Sequence, residues 1–331
     1  MTTATAIGSL PGTSQRDFDE AVRLVLGELP DLPHLPELPG RGATASMTGR
    51  SLAVVAELGV DLQPAGWRLT GGGSGVDHRR ARSLLAQDLD ALEEQAQGLD
   101  GTFKVQVAGP WTLAATVEKP RGDKILADHG ARADLAQALA EGLREHLRDV
   151  RRRVPGMQRL VVQVDEPALS AVLGARIPTA SGFGRHRSVD LPEASAHLEW
   201  VLAAITAEGG VPWVHSCAAG TPLDLLRGAG ARGLAVDHAR LSAADHDHLA
   251  EALEAGDEVV LGMVPSIAEE ASAPGDVALT EATLRWLDML GLDPATVGDR
   301  LVISPACGLA GASPSWARRA LALARTTAAN L

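Results

Sequence analysis

Short apolar runs alternate with amphipathic helical segments along most of this chain, and this alternation limits the folds that it can adopt. Residues 160–164, 233–236 and 301–303 are typical of buried parallel strands, and a helical pattern separates each run from the next. About eight such runs can be counted. The chain is therefore predicted to be an α/β protein, a single (β/α)8 TIM barrel. An open doubly wound sheet is the competing architecture, but no Gly-x-Gly-x-x-Gly turn follows any of the runs.

The length of 331 residues suits one large barrel, so we expect residues 1–331 to form a single catalytic barrel. Residues 59–77 interrupt the alternation and are predicted to be a loop insertion. A glycine-rich run at 71–75 lies within it. No Lys-Ser/Thr pair follows that run, so it is not a phosphate-binding P-loop.

Composition excludes several classes of partner. The net charge of −12 and the absence of tyrosine argue against binding to nucleic acid or to an anionic membrane surface. The amino terminus lacks the charged and apolar regions of a signal peptide, and no run of 18 apolar residues could span a bilayer. Two cysteines far apart suit a reducing compartment, so we expect a cytoplasmic protein.

The run 211–217 ends in His215-Ser216-Cys217. Side chains repeat with a period of two along a strand, so His215 and Cys217 should share one side. An imidazole beside a thiolate is half of a zinc site. The second cysteine, Cys307, also follows a short apolar run. The alternative is that each cysteine is simply a small buried apolar residue.

Other chemically capable residues also lie where predicted strands end. The set comprises Ser9, Asp165, His215, Cys217, Asp237 and Cys307. In a parallel barrel the carboxyl ends of the strands meet at one face, where such enzymes place their active sites. The sequence thus predicts one catalytic face that gathers these side chains.

Four motifs, in this order along the chain, resemble cobalamin-independent methionine synthase. They are Ile7-Gly8-Ser9, Gln163-Val164-Asp165-Glu166-Pro167-Ala168-Leu169, His215-Ser216-Cys217 and Ser304-Pro305-Ala306-Cys307-Gly308-Leu309. The resemblance extends over the whole chain but only to the family's carboxyl-terminal catalytic barrel. Related barrels include uroporphyrinogen decarboxylase and zinc-dependent alkyl transferases that act on coenzyme M.

The resemblance implies a zinc-dependent S-methyltransferase that forms methionine from homocysteine. Zinc ligands would be His215, Cys217 and Cys307, with Asp237 at the place of a family glutamate. Aspartate is one methylene shorter, so a water could stand between Asp237 and the metal. Zinc would hold the sulfur of the substrate as a thiolate, which is the nucleophilic form.

The same resemblance implies how the amino-acid part of homocysteine is bound. The Ile7-Gly8-Ser9 loop would hold its carboxylate, and Asp165 would act in catalysis by pairing with its ammonium group. Glu37 would be a second partner for the ammonium group. The alternative role for Asp165 is that of a helix-capping carboxylate.

The chain departs from the family pattern at two positions that concern the methyl donor. Residues 262–266 contain no histidine where the family has its proton donor, and Ala171 replaces a carboxylate used for the folate. Methyltetrahydrofolate needs a proton on its leaving amine, whereas a methylcorrinoid or a sulfonium does not. The donor is left between methyltetrahydrofolate and a methylcorrinoid, the latter with a corrinoid protein as a partner.

Three other functions compete with this prediction. The first is zinc-dependent alkyl transfer to another small thiol. The second, a metal-free decarboxylase, would need cationic groups that grip several carboxylates, and the net charge of −12 speaks against it. The third is a catalytically degenerate barrel that serves as a binding protein.

Overall fold

A computed structural model describes residues 1–269 and 273–331. Its strands are β1 (Thr3–Ala4), β2 (Val60–Gln63), β3 (Gly66–Leu69), β4 (Gly101–Ala108), β5 (Met157–Asp165), β6 (Val211–Ser216), β7 (Gly233–Asp237), β8 (Glu258–Val264) and β9 (Leu301–Pro305). Its α-helices are α1 (Gln15–Glu28), α2 (Met47–Val54), α3 (Val76–Gln95), α4 (Pro110–Thr116), α5 (His129–Arg153), α6 (Leu169–Leu173), α7 (Leu191–Ala207), α8 (Leu223–Gly228), α9 (Ala243–Ala255), α10 (Asp276–Met289), α11 (Pro294–Val297) and α12 (Pro314–Ala329). Short 3-10 turns cover Pro39–Arg41, Ala43–Ala45, Ile125–Ala127 and His238–Arg240.

Seven strands form one curled parallel sheet in the order β1-β9-β8-β7-β6-β5-β4, with helices packed around it. The predicted α/β class is confirmed. Within the described residues, no helix is both long and apolar enough to cross a membrane.

Residues 33–37 run between the two edges of this sheet. On one side, Lys104 donates its amide N–H to the Pro33 carbonyl, and its own carbonyl accepts from Leu35, both at 2.9 Å. On the other side, Glu37 donates to the Gly8 carbonyl at 3.0 Å and accepts from Leu10 at 2.8 Å. The segment does not form a regular strand because Pro33 and Pro36 have no backbone N–H to donate.

Alternate residues of the strands pack into two separate apolar clusters, as expected for a sheet covered on both faces. The large cluster joins the outer side of the sheet to the helices. The smaller one consists of Ile7, Leu32, Val161, Trp213, Ala235, Val260 and Val302. Four of these residues come from four different strands and lie an even number of positions before a polar residue near the strand end. They are Val161 before Asp165, Trp213 before His215, Ala235 before Asp237 and Val302 before Ser304. The smaller cluster therefore forms an apolar floor below the polar strand ends.

The predicted loop insertion at 59–77 contains regular structure. Strands β2 and β3 pair as an antiparallel hairpin with Val60 opposite Leu69. The turn between them is Pro64-Ala65, and Gly66, the first residue of β3, has a φ of +128° that favours glycine. Each strand has only four residues, which is too short for the period-two pattern to stand out in the sequence.

A buried ion-pair network fixes the segment that follows residue 37. Asp88 of α3 has no exposed surface and accepts two hydrogen bonds from Arg41, each at 2.7 Å. Arg50 of α2 also binds this carboxylate through Nη1. The Arg50 Nε atom lies 3.5 Å from Glu37. The network thus connects two helices to one end of the segment 33–37.

Substitution of Asp88 by Asn should lower the free energy of unfolding by about 3 kcal/mol or more, because the buried Arg41 guanidinium would lose its counter-charge and Arg50 would keep only the more distant Glu37. Urea denaturation provides the measurement. The control is Asp90→Asn on the same helix, since Asp90 pairs with Arg153 from a side chain that is 66% exposed. That variant should lose less than about 1 kcal/mol. Equal losses in the two variants would contradict the assigned role of Asp88.

Candidate active site

The register of the parallel strands places polar residues side by side at their carboxyl ends. Asp165 is the last residue of β5 and pairs with Ala108 on one side and His215 on the other. Cys217 follows the end of β6 by one residue, and Cys307 follows β9 by two. Parallel pairing therefore brings residues from distant parts of the chain to one face.

His215, Cys217 and Cys307 form a cluster whose ligand atoms all lie within 4.8 Å of one another. The two Sγ atoms are 2.8 Å apart, and Cys307 Sγ lies 4.0 Å from His215 Nε2. Zn–S and Zn–N bond lengths in a tetrahedral site imply ligand atoms about 3.3 to 3.8 Å apart. The Sγ–Sγ distance is shorter than this range and the Sγ–Nε2 distance is slightly longer. The donor set fits zinc by its chemistry, since two thiols and an imidazole are common zinc ligands.

The imidazole of His215 is oriented by the next strand. Its Nδ1 lies 3.1 Å from the Ala235 carbonyl, which can only accept a hydrogen bond. Nδ1 must therefore carry the proton, and the lone pair of Nε2 faces the thiols. Metal-binding histidines are commonly fixed in this way by a carbonyl or a carboxylate. The orientation is a second reason why the cluster fits a metal.

The two thiols differ strongly in acidity because one hydrogen bond joins them. Donation from Cys307 lowers the pKa of Cys217 to about 7, although burial opposes the shift. The same hydrogen bond, together with burial, raises the pKa of Cys307. The pair therefore holds one proton and one thiolate near neutral pH, and a thiolate is the form that binds metals.

In metal-free protein, Cys217 should react with iodoacetamide with a midpoint near pH 7, whereas Cys307 should stay unreactive up to much higher pH. A lower pKa gives more thiolate at neutral pH, so the Cys217 rate should rise through that midpoint. Mass spectrometry of the alkylated peptides measures both rates.

The matched variant for this prediction is Cys307→Ala, which removes the hydrogen-bond donor and should move the Cys217 midpoint toward the ordinary thiol value near 8.5. Two thiols that react with a common midpoint near 8.5 in the unaltered protein would contradict the shared-proton arrangement.

Asp237 lies at the end of β7, but the cluster of three potential ligands does not include it. Its Oδ1 accepts a hydrogen bond from the Ala239 amide at 3.0 Å, and Oδ2 lies 3.7 Å from Arg240 Nε. In this structure the Asp237 carboxylate thus caps the turn that follows its own strand.

Ile7, Gly8 and Ser9 run alongside the segment that carries Glu37. Ser9 pairs with Glu37 in parallel fashion. Gly8 has a φ of +149°, and a Cβ atom there would lie 2.7 Å from Cδ of Gln106. The structure therefore requires glycine at this position, both for its backbone conformation and for space.

The same loop touches the motif that contains Cys307. The Ser9 carbonyl accepts a hydrogen bond from the Leu309 amide at 2.8 Å. A Cβ atom on Gly308 would overlap the Ser9 hydroxyl. The two motifs are thus in direct contact, although almost 300 residues separate them in sequence.

Glu37 and Asp165 are both buried, at 6% exposure each, and a glutamine amide holds each of them. Gln106 Nε2 donates to Glu37 at 3.1 Å, and Gln163 Nε2 donates to Asp165 at 2.8 Å. Burial raises the pKa of Asp165 to about 6, and the neighbouring Glu37 carboxylate adds to the rise, while His215, Gln163 and Lys104 oppose it. Two buried carboxylates with few cationic partners are suited to bind an ammonium group.

Sequence reasoning did not find Lys104, Gln106 or Gln163 as parts of this site. The signal was present, since Lys104 and Gln106 alternate with apolar residues in β4, and Gln163 precedes Asp165 by two positions. Polar side chains at every second position of a strand that is otherwise apolar and buried indicate that one face of the sheet lines a polar interior.

Together, the fold and the site define a parallel α/β protein with a His–Cys–Cys centre next to two buried carboxylates. The model of the cobalamin-independent synthase catalytic domain matches residues 97–330, more than half of the chain. The chain therefore belongs to the cobalamin-independent synthase family, which confirms the resemblance seen in its motifs. Membership implies a methyltransferase of the methionine synthase type. No curated protein sequence matches the chain.

One solved structure with a similar fold supports the architecture. A B12-independent methionine synthase from Shewanella sp. W3-18-1, in complex with selenomethionine, is 16% identical with a TM-score of 0.64. The match covers 99% of this chain and 97% of that one. A GH5_18 protein from Streptomyces cattleya in complex with GlcNAc is 14% identical, covering 99% of this chain and 79% of that one, with a TM-score of 0.45.

Proposed function

We propose that this protein is a zinc-dependent S-methyltransferase that transfers a methyl group to homocysteine to form methionine. The observation that carries the proposal is the convergence of His215 Nε2 and the two cysteine thiols, at the end of β6, beside Asp165 of the neighbouring strand. Family membership supports the reaction type.

We further propose that residues 1–331 form a single (β/α)8 barrel in which the segment 33–37 is the strand between β1 and β4. Support comes from its backbone hydrogen bonds to Gly8 and Leu10 on one side and to Lys104 on the other. With this segment closing the sheet into a barrel, Glu37 would lie at the same end of the barrel as Asp165.

In this proposal, His215, Cys217 and Cys307 bind zinc, and Asp237 completes the site directly or through a water. When bound, zinc stabilises the sulfur of the substrate as a thiolate. The Ala235 carbonyl keeps the imidazole in the binding tautomer. The hydrogen bond between the cysteines keeps one of them deprotonated near neutral pH.

The amino-acid part of homocysteine would lie between the loop 7–9 and the two buried carboxylates. Asp165 and Glu37 bind its ammonium group, and the Ser9 hydroxyl with the backbone of Ile7 and Gly8 binds its carboxylate. Contact between Ser9 and Gly308 supports this arrangement, because it ties the amino-acid pocket to the loop that carries Cys307.

The methyl donor that suits this chain best is a methylcorrinoid, supplied by a corrinoid protein as partner. The reason lies in residues 262–266, which provide no histidine to protonate a folate amine. A corrinoid leaving group needs no such proton. Methyltetrahydrofolate is the second candidate.

A different small thiol is the alternative acceptor. Such a thiol would use the metal cluster without needing an ammonium group. The burial of both Glu37 and Asp165 favours homocysteine over an acceptor that lacks the amino group. A catalytically degenerate barrel would keep the fold and bind zinc without turnover.

Purified protein should contain about one zinc per chain. Cys217→Ser and Cys307→Ser should each abolish zinc binding and leave the circular dichroism spectrum unchanged, because the thiols are only half-buried. Asp237→Ala should retain zinc with weaker affinity, since three ligands remain. Zinc content is measured by inductively coupled plasma mass spectrometry. A full complement of zinc in both cysteine variants would rule out the ligand assignment.

Turnover of L-homocysteine to methionine should be detectable with methylcobalamin and at least tenfold slower with methyltetrahydrofolate. A sulfonium donor is the third arm, and zinc is quantified in each sample. Faster reaction with the folate would reverse the proposed order of donors. Stoichiometric zinc with no methionine from any donor would favour the degenerate barrel.

A further inference from the structure

Lys104 is a cation inside the protein whose side chain the proposed chemistry does not use. It lies on β4 with no exposed surface. Its ammonium group donates to the Ile7 carbonyl at 3.0 Å, to Gln163 Oε1 at 3.0 Å and to Gln106 Oε1 at 3.4 Å. Among the described residues it forms no direct ion pair, so all three of its N–H groups are directed at neutral oxygens. A buried ammonium is costly unless its donors are satisfied in this way.

The ammonium group determines how both glutamine amides are oriented. Lysine can only donate hydrogen bonds, so each amide must turn its oxygen toward Lys104. Each amide nitrogen then faces away from Lys104. Gln106 Nε2 donates to the Leu35 carbonyl at 2.7 Å and to Glu37 at 3.1 Å. Gln163 Nε2 donates to the Ile7 carbonyl at 2.9 Å and to Asp165 at 2.8 Å.

Two symmetrical links result from this arrangement. One runs from Lys104 through Gln106 to Glu37, and the other runs from Lys104 through Gln163 to Asp165. The Ile7 carbonyl accepts hydrogen bonds from both Lys104 and Gln163. The Lys104 ammonium group therefore also fixes the first residue of the loop 7–9. One cation thus fixes both carboxylates and the start of the loop.

The charges also interact at longer range. Burial lowers the pKa of Lys104 to about 8, and the Asp165 and Glu37 carboxylates act against this lowering. A positive charge below the carboxylates favours their ionised form. Only ionised carboxylates attract an ammonium group strongly.

We propose that Lys104 is a positioning residue for the amino group of the substrate, because it orients Gln106 and Gln163 so that Glu37 and Asp165 face one ammonium group. The inference rests on the proposed function and deepens it. Lys104 itself touches neither the substrate nor the metal cluster. Its effect should therefore depend on whether the ligand carries an amino group.

The test compares two ligands and two variants. L-homocysteine and 4-mercaptobutyrate have the same thiol and carboxylate, and only the first has the amino group. Lys104→Met removes the charge and keeps the length of the side chain. Lys124→Met is the matched control, since Lys124 lies in a loop, donates to the Thr116 carbonyl and is only a distant partner of Glu118 at 3.8 Å. Isothermal titration calorimetry on zinc-loaded protein measures the affinities.

Lys104→Met should bind L-homocysteine at least tenfold more weakly than the unaltered protein, with 4-mercaptobutyrate changed less than threefold and zinc content unchanged. The control should change neither affinity by more than twofold. An equal loss of affinity for both ligands would show that the substitution disrupts the whole pocket. Unchanged affinity for both would show that the Lys104 charge has no role in binding. Either result would overturn the proposal.

Thermal unfolding is monitored alongside, and Lys104→Gln is the second variant because it keeps hydrogen-bonding groups without the charge. It should show the same selective loss of homocysteine. If neither variant folds, Lys104 supports the barrel itself, and the positioning role is rejected. A zinc-loaded, unaltered protein that binds no homocysteine would instead refute the proposed function, and the inference with it.

Discussion

Parallel strand pairing in one register is the constraint on which the site depends. Asp165 lies opposite His215, Asp237 lies opposite Gly262, and Gly262 lies opposite Ser304. A shift of one residue in any of these pairs would turn the polar ends toward the helices and the apolar residues toward the interior. The apolar floor, formed by residues such as Val161 and Trp213, favours this register because a shift would remove its buried side chains from one another.

Above that floor, the protein holds titratable groups in two different ways. In the cluster of His215, Cys217 and Cys307, two half-buried thiols share one proton beside an oriented imidazole. Close to that cluster, the fully buried Lys104 is separated from Glu37 and Asp165 by the amides of Gln106 and Gln163. The amides spread the interaction over hydrogen bonds and keep the carboxylates free of direct ion pairs with Lys104. Under the proposed function, the two carboxylates therefore remain able to bind the ammonium group of the substrate.

A separate network of ion pairs supports Glu37 from outside the sheet. Asp88 binds Arg41 and Arg50 at a site with almost no exposure to water, and Arg50 also approaches Glu37. The segment 33–37 contains two prolines and makes few backbone hydrogen bonds, so it needs such support. The buried guanidinium group of Arg50 thus connects the stability of the fold, through Asp88, to the position of Glu37.

The sequence by itself determined the α/β class and the family, because strand periodicity and four short motifs are local patterns that need no knowledge of distant contacts. It also predicted that His215, Cys217 and Cys307 would meet, since parallel strand ends converge. The tertiary structure alone decided that Asp237 caps the turn after its own strand, and that residues 60–69 form a hairpin. It alone revealed the network around Lys104, because a buried lysine is recognised by three acceptors that come from three separate segments of the chain.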